Sequence, residues 1–180
     1  MRVLGLDPGS RRTGYGVVER SGNRFVCIVQ GPIAPPARLD LPHRIHAIAM
    51  RAGELMEEYA PDAVIVEEAF YHESVRSTLV LGHVRGALLV TAVQRGLTIA
   101  EYSPREIKMS VTGSGAAAKV QVAYMVRRLL DLREVVAADA SDALAAAVCH
   151  LHRTRVSAPA RAASAAAQRL EALLATRGSR

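Results

Sequence analysis

Tryptophan is missing from these 180 residues, phenylalanine occurs twice, and aromatic residues amount to 4% of the chain. Any core must therefore be built from aliphatic side chains, and an apolar content of 50% is enough for one domain to do so. Cysteine is nearly absent too. Cys27 and Cys149 lack CxxC or zinc-type spacing, which excludes a disulfide scaffold and a thiolate metal centre and leaves two reduced, buried thiols as the expectation. No apolar run approaches ~18 residues, so no membrane-spanning helix is expected. The opening MRVLGLD enters a strand pattern without a charged-then-apolar leader, and the expected location is the cytoplasm.

Lysine is the other scarce residue, with two against 21 arginines. Both, Lys108 and Lys119, flank the glycine-containing segment TGSGAAAK. A compact ammonium suits a single phosphate oxygen where arginine would serve for generic charge, although two plain surface lysines would look the same. The formal charge of +6 is unevenly spread. Residues 1–150 hold 17 basic against 16 acidic residues, whereas 151–180 hold six arginines against the single acid Glu171. A basic tail on a nearly neutral body is compatible with a polyanionic partner and does not by itself establish one.

What the chain does have is acids at the ends of apolar elements. Val3, Leu4 and Leu6 form a buried-strand pattern that ends on Asp7, with Pro8 and Gly9 as turn residues. Ala63 to Val66 repeats the pattern and ends on Glu67 and Glu68, one of which should face inward and the other outward because side chains alternate along a strand. Asp139 and Asp142 stand i, i+3 ahead of an Ala/Leu run, on one face of the first turns of a helix. Each acid alone reads equally as a turn former, a solvated surface group or a helix cap. Together, carboxylates that converge when sheet and helix pack demand a cation, and hard oxygen donors suit Mg²⁺ or Mn²⁺. Two such ions about 4 Å apart can drive in-line phosphodiester hydrolysis.

The segments LGLDPGSRRTGYGVV, VIVEEAF, LGHVRGALL, GSGAAAKVQVAYMV and ADASDALAAAVCH, in this order, resemble the RuvC-type Holliday junction resolvases over roughly residues 1–155. The resemblance implies an α/β ribonuclease H-like fold, a mixed five-stranded sheet with helices on both faces. It also implies a homodimer that nicks two strands of a four-way DNA junction symmetrically, using two Mg²⁺ ions per site with Mn²⁺ as a possible substitute, and RuvA and RuvB branch-migration proteins as partners. Carried over to this chain, Asp7, Glu67, Asp139 and Asp142 would be the catalytic metal ligands, Lys108 and Lys119 would contact the DNA backbone near the scissile phosphate, and Phe70 would stack on an unpaired base. Glu68 matches no ligand. The chain departs from the family pattern at Glu73, Ser74 and Val80, where basic or amide residues are common, which puts the DNA contacts of that loop in question.

The coarse order read from periodicity is three antiparallel strands at 2–8, 13–20 and 24–31 with a turn at 21–23, then a helix at 41–59 ended by Pro61. A strand at 62–67, a helix at 77–95 and a strand at 97–102 follow, then short helices at 104–111 and 117–131 and a longer one at 139–152. Gly82 and Gly86 would let another backbone approach the second of these helices, whether its own sheet or a second protomer. Residues 1–156 form the expected nuclease domain and 157–180 a basic Ala/Arg-rich tail outside every motif, expected to be mobile.

Two other readings stay open on sequence. LDPGS followed by Thr13 also resembles the phosphate loop of the actin, Hsp70 and sugar-kinase type, but those proteins need a second such lobe and no second D-x-G strand-turn motif is present. A DNA-binding module that keeps only the fold is opposed by four acids that would repel phosphates unless a cation joined them.

Overall fold

The computed structural model describes residues 1–68 and 74–154. Its centre is a five-stranded mixed sheet of β1 (Arg2–Asp7), β2 (Thr13–Ser21), β3 (Arg24–Ile33), β4 (Ala63–Glu67) and β5 (Thr98–Tyr102), in the order β3-β2-β1-β4-β5. The β1–β2 and β2–β3 pairs are antiparallel hairpins, while β1, β4 and β5 run parallel. Parallel neighbours require crossovers. These are α1 (Leu41–Tyr59), between β3 and β4, and α2 (Val75–Gln94), between β4 and β5; α3 (Pro104–Thr112), α4 (Lys119–Leu129) and α5 (Ala138–Arg153) complete the order.

The period of two along each strand sorts the core into two layers. Leu4, Leu6, Val17, Val64 and Val66 point to the face covered by α1 and α2, where they meet Ile48, Leu55, Val84 and Leu88. Val3, Val18, Ala63 and Ile65 point the other way and pack against α3, α4 and α5. Helix α5 lies closest to the sheet, for a reason legible in its composition. Its buried stretch is largely alanine, and Gly5, Gly14 and Gly16 lie beneath it. A Cβ on Gly5 would run into the carbonyl of Ala143, and one on Gly14 into the carbonyl of Asp139. Small residues on both surfaces bring the helix backbone almost onto the strands.

Several element limits differ from the periodicity reading. Helix α2 begins at Val75 rather than Ser77 because the Ser74 side chain accepts from the Ser77 N–H and caps the helix earlier. Strand β3 continues to Ile33 through its pairing with Thr13, and the β2–β3 turn narrows to Gly22 and Asn23, with Gly22 at φ +59°. Helix α4 spans 119–129 rather than 117–131; the Gln121 side chain accepts from the Ala118 N–H at its start, and Asp131 at φ +50° follows its end. The glycine pair of α2 does not serve packing on the chain's own sheet, since a Cβ at Gly82 or Gly86 would meet nothing within 4 Å. Cys27 and Cys149 are free thiols, the second buried and the first partly so. No helix among the described residues is long and apolar enough to cross a membrane.

Candidate active site

The side-chain parity that builds the core also assembles the acids. Asp7 continues the series Val3, Gly5 on the α5 face of β1, and Glu67 continues Ala63, Ile65 on the same face of β4. The two strands are parallel neighbours, with Leu6 opposite Val66, so both carboxylates emerge at one end of the sheet. Glu68 falls outside: it is exposed, and its N–H donates to the carbonyl of Tyr102. Helix α5 delivers the other two acids to the same end, because its first turn rests on Gly14, the residue paired with Asp7. Neither is a helix cap. The N-cap is Ala137, without a side-chain hydrogen bond, and Asp139 lies inside the first turn.

Electrostatics shows how near the four acids stand. The Asp7 carboxyl is pushed up to about 7, first by burial and then by the charges of Asp142, Glu67 and Asp139, with Lys119 acting against them. Burial, followed by Asp142, also raises Glu67, opposed by Lys119 and Lys108. Asp7 thus lies within electrostatic reach of the other three acids, and four carboxylates around one partly buried hollow make a place that a cation would relieve.

The chain already supplies part of that relief. Lys119, the first residue of α4, donates from Nζ to Asp142 Oδ2 at 3.1 Å, and this bond, with the nearby Asp7 and Glu67 charges, raises its own pKa. Lys108 on α3 is half-buried on the same side and lies within electrostatic reach of Glu67. Both lysines thus stand at the carboxylates. A third cation, Arg12, sits in the β1–β2 turn with Nε 3.3 Å from Asp139 Oδ2. Nothing in the sequence singled it out among 21 arginines, since only folding brings the turn beside α5. Thr13 fixes that turn. It is fully buried, its hydroxyl donates to the carbonyl of Gly9 at 2.9 Å, and the Gly9 N–H donates back to it at 3.3 Å. Among the described residues, no three His, Cys, Asp or Glu side chains stand close enough together to hold a metal ion as they are placed. Phe70 and Glu73 lie outside the described residues; Ser74 is the cap of α2, and Val80 is a half-buried residue of the same helix.

A sheet ordered β3-β2-β1-β4-β5, with acids at one end of its central strands and an acidic helix start beside them, defines a protein of the ribonuclease H-like class. The family model "Crossover junction endodeoxyribonuclease RuvC" matches residues 3–150, and the chain belongs to that family. It is 50% identical over 170 residues to the RuvC of Pelobacter propionicus, covering 91% of this chain and 97% of the relative. It is 47% identical over 168 residues to that of Halorhodospira halophila, covering 93% and 99%. Among solved structures it is similar to Thermus thermophilus RuvC in complex with Holliday junction substrate, with a TM-score of 0.81, 33% identity and coverage of 86% of this chain and 95% of that one. The yeast mitochondrial resolvase Ydc2 shares the fold at a TM-score of 0.60 and 16% identity.

Proposed function

We propose that this protein resolves four-way DNA junctions by metal-dependent nicking of two strands at symmetric positions, leaving ligatable 5′-phosphate ends. The observation that carries the reading is the meeting of Asp7, Glu67, Asp139 and Asp142 at one end of the sheet, with Lys108 and Lys119 beside them, in a chain of the RuvC family. The family assignment and the T. thermophilus junction complex support DNA as substrate, and with them the single-lobed nucleotide-binding and non-catalytic readings lose their ground.

The donor set fits a hard cation, being all carboxylate and short of positive charge. Asp7, Glu67, Asp139 and Asp142 would together hold two Mg²⁺ or Mn²⁺ ions. Bound there, such a pair supplies an activated water and stabilises the departing 3′-oxygen. The protein's own part is positional. Strands β1 and β4 hold Asp7 and Glu67 on rigid elements, and α5 sets Asp139 and Asp142 against them through its glycine bed. Lys108 and Lys119 offer point charges to the phosphate on the side where α3 and α4 border the hollow. Phe70, outside the described residues, is the proposed stacking group for an unpaired base.

A homodimer would give a near-two-fold substrate two such sites. One face of α2 supports it: Val75, Leu79, Val90 and Val93 are 61, 59, 55 and 49% exposed, and Gly82 and Gly86 open onto free space between them. RuvA and RuvB as branch-migration partners, a cytoplasmic location, a nuclease domain of residues 1–156 and an auxiliary basic tail complete the proposal.

The deciding experiment is cleavage of a synthetic four-way junction in Mg²⁺ with an EDTA control, comparing the wild type with Asp7→Asn. The substitution keeps size and removes charge. Cutting should fall by orders of magnitude while junction binding holds or tightens, because one carboxylate no longer repels phosphate. Near wild-type cutting by Asp7→Asn, or cutting that survives EDTA, would remove the metal assignment.

A further inference from the structure

Two of the four acids are held by the protein's own cations, Asp142 by Lys119 at 3.1 Å and Asp139 by Arg12 at 3.3 Å. The two pairs differ in kind. Lys119 makes a hydrogen bond, whereas Arg12 and Asp139 share an ion pair without one, and the Arg12 side chain is 55% exposed. Such a contact is weak and readily exchanged. Its position is nevertheless built. The Gly9–Thr13 bonds fix the turn that carries Arg12, and a Cβ on Gly9 would collide with the Arg12 carbonyl, so the backbone under this arginine has a single tight path. The first turn of α5 is seated just as closely on Gly14, two residues further on. Arg12 therefore stays at the rim of the acidic hollow whether or not its side chain remains on Asp139.

We propose that Arg12 is a resident counter-cation that an incoming divalent metal displaces from Asp139, and that the freed guanidinium then takes a backbone phosphate of the bound DNA strand. The inference rests on the reading of Asp139 as a metal ligand. Its physical content is an exchange of charge. Without metal, Arg12 stands 3.3 Å from Asp139 and offsets one charge in a cluster of four carboxylates. With metal, Asp139 gains a stronger partner, and a guanidinium on the rim faces the phosphate brought by the substrate, for which its planar fork is well shaped. Electropositive potential for DNA would thus rise at the site only after the metal has loaded.

The exchange differs in sign from a supporting role. If Arg12 merely held Asp139 in place for the metal, its removal would weaken metal binding; if it competes, removal strengthens it. Mn²⁺ titrated into the full chain without DNA and followed by calorimetry should show Arg12→Ala and Arg12→Gln binding about two- to fivefold tighter than the wild type, the factor expected from deleting one partly exposed ion pair. Arg12→Lys should stay near the wild type. Junction binding measured over a salt series in Ca²⁺ should lose about 0.9 from its log–log slope in Arg12→Ala, one phosphate contact, and be unchanged in EDTA. Unchanged or weaker Mn²⁺ binding by both neutral variants overturns the exchange, and an unaltered slope in Ca²⁺ overturns the transfer to phosphate. Asp7→Asn in the same titration keeps the two readings apart. If the wild type binds Mn²⁺ and Asp7→Asn does not, a null result for Arg12 counts against the exchange alone; if the wild type binds none, the metal reading falls and the exchange with it.

Discussion

Asp7 is an acid whose folded surroundings work against its charge, and this has a consequence for stability that can be measured without any substrate. Its carboxyl rises from 3.8 to about 7 through burial, then through the charges of Asp142, Glu67 and Asp139. Between those two values the folded chain keeps a proton that the unfolded chain has released, so the folded state binds more protons and stability declines as pH rises through that window. Asn at position 7 cannot ionise. In EDTA, Asp7→Asn should melt higher than the wild type at pH 8, and the gap should narrow toward pH 4. Thermal melts at both pH values check this, and a gap that stayed constant would mean that Asp7 is not the group under strain. Added Mg²⁺ should shrink the difference at pH 8 by stabilising the wild type alone. The same residue illustrates a general point about this site. Its acids are costly in isolation, and the fold retains them where a cation can make them useful.

At the scale of elements, α5 and the strands under it form one device. An alanine-rich helix has little side-chain bulk to hold it off a sheet, and glycines at positions 5, 14 and 16 remove what bulk the sheet would present. The closeness is needed at one end above all, because Asp139 and Asp142 must come level with Asp7 and Glu67. Gly14→Ala would drive a methyl group into the Asp139 carbonyl, and overpacking of this kind costs about 1–3 kcal/mol. The helix start should shift outward, so junction cutting should fall much further than the fraction of folded protein does. Paired measurement of melting temperature and single-turnover cleavage separates the two effects. A variant that melted and cut like the wild type would show that α5 does not depend on this contact. Helix α2 makes the opposite use of glycine: its pair opens outward, and nothing in the described chain fills the space.

For the molecule as a whole, that outward face is the surface on which the proposed homodimer would form. Val75, Leu79, Val90 and Val93 recur on one side of α2 with Gly82 and Gly86 between them, a stripe that a second helix could meet at close range. The double variant Leu79→Glu with Val90→Glu should convert a dimer into a monomer by sedimentation velocity, with little change in the melting of the monomer fold, since both side chains point away from the core. Paired nicking of a junction should then give way to slow, uncoordinated cuts. A wild-type chain that sedimented as a monomer at micromolar concentration, or a variant that stayed dimeric, would assign this face to something else.

Much of this was legible in the chain itself. The ten elements of the described residues follow from periodicity and punctuation, because strands alternate at two and helices at 3.6 wherever one side is buried, and the four acids stood out as carboxylates at the ends of apolar runs. Their common destination followed from parity: with 3, 5 and 7 on one face and 63, 65 and 67 on the same face of a parallel neighbour, Asp7 and Glu67 had to meet once β1 paired β4. What the sequence could not determine was anything that depends on how closely surfaces approach. That Asp139 would face Arg12 rather than cap its helix, that Lys119 would reach Asp142, and that the glycines of α2 would open outward while those of β1 and β2 lie beneath α5, were all decided by packing. Spacing along a chain carries the direction of a side chain within its own element, but the partner it meets comes from another element, at a distance that only the assembled layers set.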